Sequence, residues 1–502
     1  MPYSVIIRIF LILISVKVCK SGNILILNSW QSKSHALTML PMAEKLQEIG
    51  HSVAMYHNNL APLGKISDKI NSIESVGKIS IKPGHTVGEV FWNFQVDPLV
   101  YEPPFVFSLE IMKSVINDEN LATVLNTSYD VVLVDEIFMS MQAAVALKLK
   151  QKFGSRIGIF ATTDVNVLFT QYKGLGRNPI TETNFYTSHF DMYDVNVERF
   201  WWRLKSFITH LKEIYIHYVN DYHMKGAGEL LEISSSFDEI FGNSLFTLME
   251  FPYNFGYPVT KSSNLFHIMH FCPESKLLSE DYLKFIEDPT YEAVIYVAFG
   301  SFTDWTVAPN GTIEKFVNAL NDLEEYKIIW SYNGPSVSHL VKSHIMVTSW
   351  APQHGILSHK KVQAFFTHGG QKSLKEGICT ATPLLFFPLF SDQPKNTANA
   401  ILMGIAEAVN KFNFTSEVIS EKLRIILRTK SYAERMEKFR SIFIDRPVHP
   451  LEEAAHFISK LVKNSGFKDN FFRIKINSIS IYDLHVICMM LIFIVMPIVC
   501  IL

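Results

Sequence analysis

The chain has 502 residues, 48% hydrophobic and 19% charged, with a formal net charge of −2. That length exceeds one ordinary domain and suits two, and the apolar content excludes a disordered chain. The near-neutral balance gives no electrostatic footprint for nucleic acid or for an acidic substrate, so no nucleic-acid partner is expected.

Residues 5–16 (VIIRIFLILISV) are too short a run to cross a bilayer comfortably. They read as a secretory signal peptide spanning 1–21, processed near 19–21. Residues 23–28 (NILILN) then predict a buried strand. A helical pattern follows over 35–49, with Leu37, Leu40, Ala43 and Leu46 in register. Ser34 is expected to cap its start and Gly50 to end it. Residues 51–57 read as the next strand, and 129–135 (YDVVLVD) as a third ending in acid, before an apolar helix through Ala143 and Leu147. Strands alternating with helices imply a parallel sheet. Residues 165–270 read as less regular; Trp201 and Trp202 are expected to pack or to wall a pocket.

A charged, proline-bearing stretch at 272–290 marks the domain boundary. A second α/β series follows: strands at 293–299, 327–331, 345–348, 362–367 and 383–387, with helices at 312–320, 372–378 and 395–403. The expected architecture is α/β, two Rossmann-like doubly wound domains at 22–280 and 290–465 facing a cleft, where ligands bind beyond the carboxyl ends of the strands.

Residues 484–502 are apolar except for His485 and match the length of a membrane-spanning helix. The expectation is a single-pass protein of the endoplasmic reticulum with both domains in the lumen. Lys463, Lys468, Arg473 and Lys475 then lie on the lumenal side, against the positive-inside tendency, so the signal peptide must override them. A lipid-anchor signal after Asn464-Ser465-Gly466 is the weaker alternative. Of five cysteines only Cys272 and Cys379 fall in the folded body, and spacing does not decide whether they pair. Asn126, Asn310 and Asn413 head glycosylation sequons, meaningful only on the secretory route.

Four polar or glycine-bearing loops follow strands of the second domain: Gly300-Ser301, 349–353, 368–373 and 391–393. In a parallel sheet they converge on one edge. Gly369-Gly370 open a helix whose free N–H groups suit a pyrophosphate, and His368, Lys372 and Ser373 can add donors. Trp350 offers a flat face for a base, with Gln353 at its edge. Glu376 can accept from ribose hydroxyls, and Asp392-Gln393 suit the hydroxyls of a sugar. No cluster at metal-ligand spacing stands out, so neither metal nor cofactor is expected.

These residues resemble the signature of the UDP-glycosyltransferase family, the group that includes animal UDP-glucuronosyltransferases. The matching positions are Trp350, Gln353, Thr367-His368-Gly369-Gly370, Ser373, Glu376, Pro383, Pro388 and Asp392-Gln393. Lys372 departs from the Asn common there. The resemblance implies the GT-B arrangement of two Rossmann-like domains, with a UDP-sugar held as co-substrate by the C-terminal one. It also implies a small lipophilic acceptor on the N-terminal domain; a homo-oligomer is compatible with it.

The base expected to take the acceptor's proton is His35 near a helix start, oriented by Asp135 at a strand end, with Glu136 as its adjacent rival. Both positions match the family's base and acidic partner. The expected reaction is direct displacement at the anomeric carbon with inversion. His35 activates the acceptor, and His368, Gly370, Ser373 and Ser301 stabilise the departing UDP. Glucuronic acid and glucose are equally compatible donors. Two other readings are a non-catalytic membrane-anchored homologue that binds UDP and an anchored lipid carrier without a donor site.

Overall fold

The computed structural model describes residues 21–473 except 29–32, 80–86, 138, 164–195, 197, 253–254, 257–261, 276 and 302. The expected signal peptide and anchor thus lie outside the described residues, save Ser21. Among the described residues no helix is long and apolar enough to cross a membrane.

The first sheet has seven parallel strands: β1 (Asn23–Asn28), β2 (Ser52–Asn59), β3 (Asn71–Val76), β4 (Val131–Asp135), β5 (Arg156–Ala161), β6 (Ser244–Met249) and β7 (Leu265–His267). Their order is β3-β2-β1-β4-β5-β6-β7. The chain works outward from β1 on one side, then returns to lay β4 on the other, so the winding reverses between β1 and β4. The strands read as continuous apolar runs because both faces are covered. Leu25, Leu27, Val132 and Val134 face one core, together with the helices Glu102–Val115, Ser140–Phe153 and Phe200–Glu229. Ile24, Ile26, Val131 and Leu133 face the other.

The second sheet repeats the winding: β8 (Val294–Ala298), β9 (Lys327–Ser331), β10 (Ile345–Thr348), β11 (Val362–Thr367), β12 (Leu384–Phe386) and β13 (Ala406–Ala408), ordered β10-β9-β8-β11-β12-β13. Its reversal falls between β8 and β11, where Ala298 pairs with Thr367.

Three expectations need correcting. The first helix is Lys33–Glu48, so Ser34 sits inside its first turn, where its carbonyl accepts from Thr38 Oγ1 at 3.0 Å. Gly50 does end the turn, at φ +99° with its N–H on Gln47 O at 2.9 Å. The helix Pro450–Lys463, expected in the second domain, crosses back to the first: Leu451, Ala454, Ile458 and Leu461 pack with Ala36, Met39, Ala43 and Leu46. Arg156 secures that crossing by donating to the carbonyls of Leu461, Asn464 (2.9 Å) and Phe467 (2.6 Å). Finally, the stretch read as irregular contains the 30-residue helix Phe200–Glu229 from its described part onward. Its periodicity is inverted. Ser206, Thr209, His210, Glu213, His217 and Asn220 are buried, while Trp201, Leu204, Ile208, Leu211, Tyr215, Tyr218 and Tyr222 are exposed.

Candidate active site

Both reversals carry side chains. At the first, the helix Lys33–Glu48 follows β1 in the chain, and β4, paired with β1, ends in Asp135. His35 Nδ1 lies 2.7 Å from Asp135 Oδ2. An ionised carboxylate only accepts, so Nδ1 carries the proton and the lone pair falls on Nε2. The imidazole retains 16% side-chain exposure while Asp135 is fully buried. Thr162, just past β5, donates to Asp135 Oδ1 at 3.1 Å, and its oxygen lies 2.8 Å from His35 Nδ1. The Ile137 amide approaches Oδ1 at 3.4 Å. The carboxylate is therefore gripped from two strands, and one oxygen is left to aim the histidine. Glu136 is buried, and its amide donates to Phe160 O of β5; the carboxylate beside His35 is that of Asp135. Thr162 was missed in the sequence. Its only signal is a polar residue closing the apolar strand next to the acid-ended one.

At the second reversal the loops after β8 and β11 touch. Gly300 adopts φ +73°, and a Cβ there would lie 3.0 Å from His368 Cε1. A Cβ on Gly370 would lie 2.5 Å from His368 Nε2. The imidazole is thus held between two glycines, which brings the exposed Ser301 loop against the start of the next helix. Burial pushes His368 down to about 4, so it meets a ligand as a neutral imidazole. The helix Gln371–Cys379 begins after Gly370 without a side-chain cap, which leaves its first N–H groups for a ligand. Ser373 is buried on that first turn and Lys372 is exposed on it.

Trp350 is 67% exposed, with Lys33 Nζ of the first domain 5.9 Å from its ring centroid. The platform residue thus faces the helix that carries His35. Gln353 and Glu376 meet each other: the Gln353 amide donates to the Glu376 carboxylate. Burial raises Glu376, with Lys372 and Gln353 opposing. Ser391 is held at φ +61° just before Asp392 and Gln393, both buried. Asn396 Nδ2 ties Asp392 Oδ2 (2.7 Å) to Gly369 O (3.0 Å), joining the loops after β11 and β12. Gln393 departs from the expectation of a wholly sugar-facing side chain. Its oxygen accepts from the amides of Leu389 (2.7 Å) and Phe390 (3.0 Å), so only its amide nitrogen is left to donate outward.

The domains are pinned around this cleft. Lys375 pairs with Glu250 at 2.9 Å, both buried, and Cys272 is disulfide-bonded to Cys379. The sequon residues Asn126, Asn310 and Asn413 are all exposed.

The chain is similar to solved glycosyltransferases in overall fold. UDP-glucose: anthocyanidin 3-O-glucosyltransferase in complex with UDP superposes with a TM-score of 0.58 at 16% identity, covering 88% of this chain and 99% of that one. The glycosyltransferase VinC in complex with DTDP gives 0.58 at 15% identity over the same shares. In sequence, mouse UDP-glucuronosyltransferase 1A6 is 27% identical over 267 residues, 53% of this chain and 49% of that protein, so the match spans about half of that relative. Mouse UDP-glucuronosyltransferase 1A9 is 24% identical over 458 residues, 86% of this chain and 82% of that protein. The profile described as UDP-glucoronosyl and UDP-glucosyl transferase matches residues 24–502, and the chain belongs to that family.

Proposed function

We propose that the protein is an inverting glycosyltransferase that moves glucuronic acid or glucose from a UDP-sugar to a hydroxyl of a small lipophilic acceptor. The observation that carries this reading is the His35–Asp135 pair at one sheet's reversal, with the uncapped, glycine-opened helix at the other. In this reading the acceptor oxygen attacks the anomeric carbon, its proton passes to His35 Nε2, and the bond from that carbon to the UDP oxygen breaks on the opposite face. Asp135 stabilises the imidazolium as it forms. The first N–H groups of the helix Gln371–Cys379, with Ser373 and Ser301, receive the charge on the leaving diphosphate. Trp350 stacks the base, Glu376 and Gln353 meet the ribose side, and Asp392 with the Gln393 amide nitrogen meets the sugar. No resident cofactor is required; the UDP-sugar is a co-substrate.

A lumenal, membrane-bound setting belongs to the same proposal. It is supported by the apolar 484–502 stretch, the disulfide, which suits an oxidising compartment, and three accessible sequons. The outward stripe of Trp201, Leu204, Ile208, Leu211, Tyr215, Tyr218 and Tyr222, rich in interface-seeking aromatics, suits a lipid surface nearby.

The test is transfer from a panel of UDP-sugars to an acceptor library, read by mass spectrometry on wild type and His35→Ala. The expected outcome is transfer by wild type and a kcat lower by about 10²–10⁴-fold in His35→Ala, with UDP still protecting both against thermal unfolding. UDP protection without transfer in wild type would leave the chain a UDP-binding homologue. Full activity in His35→Ala would remove the histidine from its role.

A further inference from the structure

The first domain reaches into the second through residues 87–101. The helix Val87–Asn93 carries Trp92, 3% exposed, into the core around Trp305 and Phe387, with ring centroids 5.3 and 6.2 Å away. Trp92 Nε1 donates to Asp304 O at 2.8 Å, three residues beyond Ser301. Farther along the same segment, Phe91 and Tyr101 each stack on Phe390 at 16° between planes, with centroids 4.9 and 5.6 Å apart. This strap therefore touches both the loop after β8 and the loop after β12, the two that carry Ser301 and Asp392-Gln393.

Lys411, just past β13, locks the strap in place. Its buried ammonium donates to Phe91 O at 2.5 Å, Phe94 O at 2.8 Å and Leu389 O at 2.6 Å. Burial lowers Lys411 to about 7; as an ammonium it has three N–H donors, one for each of these carbonyls. Two of the acceptors are the carbonyls of Phe91, in the last turn of the helix Val87–Asn93, and of Phe94 just past it. The third belongs to Leu389, whose own N–H goes to Gln393 Oε1. The Leu389 peptide is thus gripped from both sides, by Lys411 on its oxygen and Gln393 on its nitrogen. Two residues on, Ser391 sits at φ +61°, a left-handed conformation that a non-glycine residue keeps only where its surroundings impose it.

We propose that Lys411 is a positioning residue for the donor sugar: by tying Leu389 to the strap, it imposes the conformation in which Ser391, Asp392 and Gln393 meet the sugar. The inference rests on the reading of Asp392-Gln393 as the sugar-facing pair. It also couples the two domains, since the strap that Lys411 and Phe390 hold to this loop belongs to the first domain.

The uridine and diphosphate contacts lie on other loops, which supplies a discriminating readout. The full chain is titrated calorimetrically with UDP, UDP-glucose and UDP-glucuronate, for wild type and for Lys411→Met, which keeps the stem and removes the three donors. The expected result is UDP affinity within twofold of wild type, with the extra affinity or turnover conferred by the sugar reduced at least fivefold. Lys411→Arg, which keeps the charge and several donors, should recover part of the loss. Should the methionine variant fold poorly, Lys411→Gln, with two donors, should show the same pattern at smaller amplitude. Equal weakening of UDP and UDP-sugar, or no change in either despite a lower Tm, would make Lys411 a structural lysine only and overturn the proposal. A wild type that binds UDP but gains nothing from either sugar would instead overturn the sugar-facing reading on which it rests.

Discussion

Thr162 shows how much a single hydroxyl can organise. It donates to Asp135 Oδ1 while its oxygen lies against His35 Nδ1, so it limits how the carboxylate can rotate and therefore where Nε2 points. Thr162→Val keeps the shape and removes the hydroxyl. A net hydrogen bond of this kind is worth about 1 kcal/mol, more where a charged partner is left short, so kcat is expected to fall roughly tenfold with UDP affinity unchanged. Steady-state kinetics beside UDP titration checks it, and an unchanged kcat would make Thr162 a passive strand end. The His35–Asp135 pairing was legible in the sequence because a strand-end acid and a helix-start histidine stand where the resemblance to the family puts its base and acidic partner. Thr162 was not, since only the pairing of β4 with β5 brings it to them. Other buried imidazoles act on stability. Burial holds His57 and His270 down to about 4. Between pH 4 and 6.5 the unfolded chain binds protons that these two cannot, so stability rises with pH across that window and is lost as pH falls through it, by up to about 3 kcal/mol per group. Urea unfolding from pH 4 to 6.5 should give a shallower slope in His57→Gln than in wild type.

At the scale of elements, the strands of the second domain were read almost to the residue: 327–331, 345–348 and 362–367 match β9, β10 and β11. Buried parallel strands are short, wholly apolar and bounded by polar turns, which is the easiest pattern to see. The helix Phe200–Glu229 defeated the same logic. Between 200 and 222 its buried face is mostly polar and its exposed face apolar, so the periodicity that marks a helix against a core points the wrong way there, although Ile216, Met224 and Ala227 do join the core. The glycines at the mouth of the helix Gln371–Cys379 were singled out for backbone approach, and the structure adds a second demand. His368 lies between Gly300 and Gly370, and a Cβ on Gly370 would come within 2.5 Å of its Nε2. Gly370→Ala therefore forces the imidazole, the loop or the first turn to shift, which disturbs the N–H groups proposed to receive the diphosphate. UDP affinity is expected to fall about 10- to 100-fold, a loss of ~1–3 kcal/mol by the usual cost of overpacking. His35 and Asp135 are untouched, and calorimetric titration with UDP checks it.

Across the whole molecule, the hardest features to read were those joining distant parts of the chain. A break at 272–290 separates the sheets, yet the helix Pro450–Lys463 returns to the first domain because its apolar face completes the core under the helix Lys33–Glu48. Nothing in its own pattern says which domain supplies the other half. Cys272 and Cys379 were an open pair by spacing alone, and folding brings their Cα atoms to 5.4 Å. The bond joins the connection between the sheets to the last residue of the helix Gln371–Cys379, whose other end opens the proposed diphosphate site. Its sequence separation of 107 residues makes it a long cross-link. In the chain-entropy account such a loop restricts the unfolded ensemble by up to about 4–5 kcal/mol, and measured values centre nearer 2–4. Reduction should therefore lower Tm clearly. The Cys272→Ser/Cys379→Ser variant should lose about 2–4 kcal/mol in urea unfolding and become insensitive to reductant. Cys379 Sγ also lies 3.7 Å from Phe271 O, and Arg440 Nε donates to Cys379 O at 2.8 Å. The far end of the helix is thus held by more than the sulfur bridge. UDP affinity at its N-terminus should consequently survive in the double variant at temperatures well below its Tm. A loss of affinity matching the loss of stability would instead mean that the disulfide sets the pose of the whole helix.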